Sequence, residues 1–253
     1  MHLQSSPLAT EIVQNKDKWA PLKFVLKDGI LEPSDKVGLK SKRMAGYIAH
    51  FYTNVIPRFA HGELLDLGCG DAPLYGVYSK YASGVCCADW KNTLHDQSFV
   101  DIFCDLNKDL SFESASFDTV ILSDVINHLE EPELALKEIH RILKPAGTLI
   151  LNTPFLYNLN EEPYDYGRYS IYQFRSWAKK LNFQVEHEET LGGISDVFEH
   201  FLLRIIARLP MGKFTSRFFF NLRTFFIKRK LLRIKSVSDS PYGYGLVFKK
   251  KEL

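Results

Sequence analysis

Apolar and polar positions alternate between two periods along this chain. Short apolar runs recur, and the first three end on an acidic residue: Leu64-Leu65 before Asp66, Val85 to Ala88 before Asp89, and Val100 to Cys104 before Asp105. Residues 117–122 and 147–152 are two more runs of the same kind. Such runs, bounded by turn residues, predict buried strands at about 63–67, 84–88, 99–104, 117–122 and 147–152. Between and before them the spacing changes to three or four. Met44, Ile48, Phe51, Val55 and Phe59 predict an amphipathic helix over 41–59. Leu134, Ile139, Ile142 and Leu143 form the stripe of another helix, with Pro132 suited to its first turn and Pro145 and Gly147 ending it. Residues 171–181 read as a helix, and 183–190 and 243–250 as a sixth and a seventh strand. Strands separated by helices imply an α/β fold with parallel pairing and right-handed crossovers. Residues 1–40, with prolines at 7, 21 and 33, read as an irregular arm with one short helix, so that 41–253 form a single domain.

The stretch LLDLGCGDAP (64–73) carries the most chemical information. A buried strand runs into Gly68-Cys69-Gly70, a turn in which missing Cβ atoms let a ligand lie against backbone. A lone Gly-x-Gly is weak evidence. Asp89 strengthens it, because it follows Gly70 by nineteen residues, a distance at which an acid can accept from both hydroxyls of a ribose. Pro73 stands where a dinucleotide-binding turn wants its third glycine, which argues against that class.

In the order and spacing of these five segments the chain resembles the class I S-adenosylmethionine (SAM)-dependent methyltransferases, and most of all the bacterial group described as type 11. The resemblance covers roughly residues 45–190. It implies a Rossmann-like, seven-stranded, mostly parallel sheet whose last strand is antiparallel and lies between strands five and six, with a helical insertion at 194–238 between strands six and seven. It also implies SAM as cofactor. The amino-acid end of SAM falls to Asp66, Gly68, Cys69 and Gly70, the ribose to Asp89 with Trp90 after it, and the adenine to Asp105 and Leu106. Ser123 is expected to contribute its main chain beside the cofactor. Ala72 departs from the third glycine of many members, but alanine is small.

Composition is that of an ordinary globular protein, 45% apolar and 25% charged over 253 residues. Cys69, Cys86, Cys87 and Cys104 lie in or beside predicted strands and make no Cys-x-x-Cys pair, so neither a zinc site nor a disulfide framework is suggested. No signal-like leader and no apolar run of about 20 residues is present, so the expected location is cytoplasmic, or on the inner face of a membrane. The net charge of +2 conceals an asymmetry. Residues 200–238 hold ten Lys or Arg and no acid; with 32 basic and 30 acidic residues in all, the remainder has 22 against 30. Phe, Leu and Ile interleave with these cations, and Pro210-Met211-Gly212 divides the segment. Contact with an anionic membrane surface is the favoured reading; a helical lid is the structural alternative, and nucleic acid is disfavoured.

Three groups of residues could carry chemistry. His128, in SDVINHL after strand four, could accept a proton near neutral pH, or orient the next helix or the cofactor. Asp124 is a weaker candidate for the same loop. The stretch EEPYDYGRYS (161–170) matches a Pro-x-Asp-aromatic-x-Arg-aromatic-Ser/Thr pattern that relatives often show. Asp165, Tyr166 and Arg168 could hold a hydroxyl-rich acceptor, with Tyr164 and Tyr166 stacking on a ring, or they could clamp the loop structurally. The expected activity is methyl transfer from SAM to a small or lipid-linked acceptor, with a saccharide hydroxyl of surface-polysaccharide assembly preferred. The alternatives are an aromatic or isoprenoid lipid such as a quinone precursor, and a SAM-binding protein without turnover.

Overall fold

The structure is a computed structural model that describes residues 16, 19–20, 22–93, 95–208, 218, 221 and 239–252. A β-hairpin comes first, with β1 (Phe24–Lys27) antiparallel to β2 (Ile30–Pro33). Helix α1 (Leu39–Phe59) leads into β3 (Gly62–Leu67), which is followed by the single turn α2 (Tyr75–Tyr78), β4 (Ala82–Asp89) and the two-residue β5 (Ile102–Phe103). Then come β6 (Phe117–Ser123), α3 (Pro132–Ile142), β7 (Leu143–Pro154), α4 (Ile171–Lys180), β8 (Phe183–Leu191), α5 (Ile194–Ile206) and β9 (Gly243–Lys250).

Seven strands form one sheet in the order β5-β4-β3-β6-β7-β9-β8. The first five pair in parallel, and β9 runs antiparallel to both β7 and β8. Alternation along the strands sends side chains to two separate cores. Leu65, Leu67, Val120, Leu122, Leu149 and Leu151 pack with Leu136, Ile139, Phe174 and Trp177 of α3 and α4. Leu64, Ile121, Ile150 and Val247 face α1, which buries Met44, Ile48, Phe51, Tyr52 and Val55 there, and Val197 of α5 joins them. Gly245 of β9 sits directly under α1: a Cβ there would lie 2.6 Å from the Phe51 ring. Tyr52 of α1 is fully buried, and its hydroxyl donates to Asn152 Oδ1 of β7 at 2.8 Å. The Ser123 hydroxyl donates to the same oxygen at 2.9 Å. This buried junction fixes α1 over the ends of β6 and β7.

Several expectations need correction. Residues 24–33 form a hairpin rather than irregular arm, because Asp28 and Gly29 adopt left-handed backbone and reverse the chain. The run expected over 99–104 pairs only at Ile102 and Phe103, since its partner β4 ends at Asp89. Helix α3 stops at Ile142, and Leu143 already pairs with Phe117, so β7 begins before Pro145 and Gly147. Of the expected 194–238 insertion, α5 is helical. It turns inward Val197, His200, Leu203 and Ile206, but Ile194, Phe198, Phe201 and Ile205 stand 43–68% exposed along its other side. Most of the basic stretch beyond it lies outside the described residues. No described helix is long and apolar enough to cross a membrane.

Candidate active site

A cavity of about 570 Å³ opens beyond the carboxyl ends of β3, β4, β6 and β7, where strand order reverses between β3 and β6. Every residue expected at the cofactor lines it: Asp66, Gly68, Cys69, Gly70, Asp89, Trp90, Asp105, Leu106 and Ser123. The turn after β3 is built from left-handed backbone. Gly68 has φ 76°, Gly70 φ 55° and Ala72 φ 48°. At Gly68 a side chain is excluded twice, because a Cβ would also meet Val125 Cγ2 at 2.4 Å.

Asp89 ties this turn to the end of β4. Its Oδ2 accepts from the Gly70 N–H at 2.7 Å and its Oδ1 from the Trp90 N–H at 2.7 Å. Each oxygen keeps further acceptor capacity, which fits a pair of ribose hydroxyls. Burial pushes the Asp89 carboxyl upward against the pull of those two bonds. Asp66 is deeper still. Burial raises its pKa to about 7, although the Tyr78 hydroxyl donates to Oδ2 at 2.7 Å. A cationic group at the cavity floor would therefore meet a carboxyl poised to ionise. The cysteines are free thiols; burial pushes Cys86 and Cys104 up to about 12, so they are inert packing residues.

The opposite wall is made by α1 and by the loops after β6 and β7. Met44, Ala45, Ile48, Leu129 and Tyr157 supply apolar surface. Asp124 follows β6 with φ 56°, an uncommon conformation for a side chain with a Cβ. Its Oδ1 accepts from Asn152 Nδ2 at 2.6 Å, and Lys23, at the base of the hairpin, reaches its Oδ2 at 3.4 Å. Both Asp124 and Lys23 line the cavity. Across the mouth, His95 Nε2 donates to Glu161 at 3.3 Å. That bond raises the pKa of His95 and lowers that of Glu161, so the two form an ion pair bridging the loops after β4 and β7. Trp90 and Tyr164 bridge the same loops edge to face, with ring centroids 4.8 Å apart.

His128 lines the cavity, but both ring nitrogens are engaged. Nδ1 must carry the proton, because it faces the Tyr164 carbonyl; Nε2 accepts from Asn127 Nδ2 at 3.0 Å. The ring is thus a tie between two loops, with the Glu161 carboxylate 3.9 Å from Nε2. Asp165 and Arg168, considered above as acceptor-holding residues, do not line the cavity. Arg168 grips both Asp165 oxygens at 2.5 and 2.6 Å and also donates to the Asn158 carbonyl at 2.9 Å. Asp165 also accepts from Asn160 N–H at 2.8 Å and from Asn127 Nδ2 at 3.2 Å, and its side chain is 2% exposed. Its carboxylate is spent on the loop, so the clamp describes this pair. Tyr166 lies between the two cases: it reaches the cavity rim, is 48% exposed, and donates to Glu130 at 2.8 Å.

Sequence reasoning missed Lys23, His95 and Glu161. Lys23 sits singly within a short apolar run, His95 lies in a polar stretch without periodicity, and Glu161 was hidden inside the loop motif read for its tyrosines.

Fold and cavity define an α/β domain with a ligand-sized site at the carboxyl edge of its sheet, and comparison with known proteins shows what it is similar to. Residues 65–151 match the family model described as methyltransferase domain. This segment is thus similar to methyltransferase domains, in agreement with the resemblance to class I SAM-dependent enzymes drawn from its motifs. Over 104 residues the chain is 27% identical to the mitochondrial ubiquinone biosynthesis O-methyltransferase of Rattus norvegicus, covering 36% of this chain and 30% of that protein. Over 147 residues it is 26% identical to a hybrid PKS-NRPS synthetase of Acremonium sp, covering 51% of this chain and 4% of that one. The chain thus spans less than a third of the length of these curated relatives. Among solved structures, a candidate methyltransferase of Bacillus halodurans superimposes with TM-score 0.52 at 12% identity, covering 83% of this chain and 99% of that one. The cyclase SpnF does so with TM-score 0.50 at 17% identity, covering 81% and 82%. Both share the fold.

Two outcomes follow from this geometry. A carboxyl raised from its ordinary value to about 7 costs folding stability that is absent in acid and grows as pH rises toward 7. For Asp66 that cost approaches about 4 kcal/mol above pH 7. Asp66→Asn should therefore flatten the fall of Tm between pH 5 and pH 8, and at pH 6.5 the wild type should release a proton on binding SAM, measured by calorimetry in buffers of different ionisation enthalpy. No buffer dependence would remove Asp66 from the cofactor's charged end. Arg168→Ala leaves a buried carboxylate unpaired, and should cost about 3 kcal/mol or more of stability while SAM affinity in the folded protein stays unchanged. Unchanged Tm with lost turnover would restore Arg168 to the acceptor site.

Proposed function

We propose that this protein is an O-methyltransferase whose acceptor presents a hydroxyl on an aromatic or isoprenoid body. The observation that carries this reading is the division of the cavity. One wall is the polar cradle of Asp66, Gly68, Gly70 and Asp89; the other is apolar, from Met44, Ala45, Ile48 and Tyr157, with the Asp124–Lys23 pair as its polar island. SAM supplies an electrophilic methyl group on a sulfonium. The chain supplies placement: an apolar body rests on α1 and Tyr157, and its hydroxyl meets Asp124. Much of the rate of such a displacement comes from alignment. Asp124 is held from behind by Asn152, which leaves Oδ2 to take the hydroxyl proton, and the Lys23 ammonium stabilises the oxyanion that results. The similarity to an O-methyltransferase of ubiquinone biosynthesis supports the same acceptor class. The saccharide reading rested on the loop of Tyr164, Asp165, Tyr166 and Arg168, on the basic-apolar segment and on likeness to bacterial enzymes; Asp165 and Arg168 of that loop do not line the cavity.

A lipid-borne acceptor also suits α5. Its exposed Ile194, Phe198, Phe201 and Ile205 follow a helical spacing, and Tyr157 of the cavity wall stacks on His200 of the same helix at 4.5 Å. An apolar stripe beside the acceptor wall, with Arg204 within its span and nine more cations following it up to residue 238, fits an anionic membrane surface.

An alkylated catechol and an alkyl glucoside, each offered with SAM, separate the acceptor classes through release of S-adenosylhomocysteine. Turnover is expected with the catechol, and Asp124→Asn should lower it by about 100-fold without changing SAM affinity. Turnover with the glucoside alone would sink the proposal. For the membrane, Phe198→Ser with Ile205→Ser should weaken co-sedimentation with phosphatidylglycerol vesicles. Wild-type protein that ignores such vesicles at low salt would refute this part.

A further inference from the structure

Lys16 and Trp19 lie far upstream of the matched methyltransferase segment, yet both reach its cofactor cradle. The Trp19 indole N–H donates to the Ala72 carbonyl at 2.9 Å. Ala72 is the last left-handed residue of the turn after β3 and the one that departs from glycine. Left-handed backbone is costly for a residue with a Cβ and persists where surrounding structure holds it. Here the Ala72 carbonyl is held twice, by Trp19 and by the Tyr75 N–H at 3.1 Å. The indole ring also fills a space made for it. A Cβ on Gly76 would lie 2.4 Å from the ring, and Tyr75 packs at 5.9 Å between centroids. Trp19 joins Cys69, Ala72, Cys87 and Phe99 in a small apolar cluster of its own, apart from both main cores.

Lys16 secures the other side of the cradle. Its ammonium donates to the Val85 carbonyl at 3.1 Å and pairs with Asp101, each side chain being 6% exposed. Asp101 Oδ2 in turn accepts from the Cys87 N–H at 2.7 Å, and the Asp101 N–H donates to the Cys87 carbonyl at 2.8 Å. Cys87 stands two residues before Asp89. The Trp19 N–H donates to the Lys16 carbonyl at 3.1 Å, which joins the two anchors.

We propose that Lys16 and Trp19 form a clasp that sets the shape of the SAM cradle, Trp19 at the glycine turn and Lys16 at the strand end that carries Asp89. They are positioning residues: they act on the cofactor through Ala72 and Asp101. The clasp rests on the reading of this cavity as the SAM site. Docking of the clasp and binding of cofactor are then coupled, and each strengthens the other by the same factor. The clasp also accounts for Ala72, since a turn held from outside can tolerate alanine where a free one would need glycine.

The full chain is tested with S-adenosylhomocysteine as ligand. Trp19→Phe keeps a ring and loses the N–H donor. It should weaken binding by about 5-fold in calorimetry, because the ligand must then order the turn, and lower the Tm of the unliganded protein by only a few degrees, as for one lost hydrogen bond. In wild-type protein labelled with ¹⁵N at indole nitrogen, the ligand should slow exchange of the Trp19 N–H, assigned among the three tryptophans by its absence in Trp19→Phe. Lys16→Arg should retain affinity where Lys16→Met loses it. Equal affinity in Trp19→Phe, together with unaltered indole exchange, would overturn the clasp and leave the SAM site standing. If Trp19→Phe does not fold, the signal is assigned by elimination with Trp90→Phe and Trp177→Phe, and the exchange measurement on wild type decides alone. Wild-type protein that binds no S-adenosylhomocysteine would overturn the SAM site and the clasp with it.

Discussion

The Asp89 carboxylate, accepting at once from Gly70 and Trp90, is the contact on which the site depends. It joins two strands that need only be parallel neighbours and turns their ends into one cradle. The turn it holds has left-handed backbone at positions 68, 70 and 72, a shape that an isolated peptide would not keep. Around it the chain spends buried polar groups freely. Asp66, Tyr78, Asp101 and Lys16 are all within the same few turns of structure, and each has a partner.

A second polar junction governs the opposite wall. Asn152 is fully buried and accepts from Tyr52 and Ser123 while donating to Asp124. Three elements, α1, β6 and β7, meet there. Because all its groups are paired, the junction specifies one arrangement of α1 over the sheet. The apolar wall of the cavity is a consequence: Met44, Ala45 and Ile48 project from the same helix whose Tyr52 is pinned by Asn152. Sheet core and acceptor wall are therefore one packing problem.

The parallel core was legible because its signals are local. Strand periodicity, the run into Gly68 and the Pro132 helix start each sit within a dozen residues. The antiparallel placement of β9 came from family resemblance, and the structure has it between β7 and β8. Three kinds of feature escaped. The hairpin at 24–33 depends on Asp28 and Gly29, a turn signal that the surrounding prolines outweighed. His128 and the Asp165–Arg168 pair were read from loop position and family pattern, with a structural role beside the chemical one, and neither signal can show that a lone pair is already taken. Lys16, Trp19, Lys23 and His95 act across large separations in sequence, where no periodicity points.

A likeness shared with a cyclase shows how little of the reaction such a scaffold decides. Much of the wall opposite the cradle comes from parts outside the matched segment. Lys23 and Met44 precede residue 65, and Tyr157, Glu161 and Tyr164 follow residue 151. These residues belong to the hairpin, to α1 and to the loop after β7, elements that meet only because the sheet brings its carboxyl edge beneath all three. The matched core contributes Asp124, and Asn152 one residue past its end holds it. On the proposed reading, cofactor chemistry is written in the matched segment and acceptor choice largely in the segments around it, with Asp124 as the residue where the two meet.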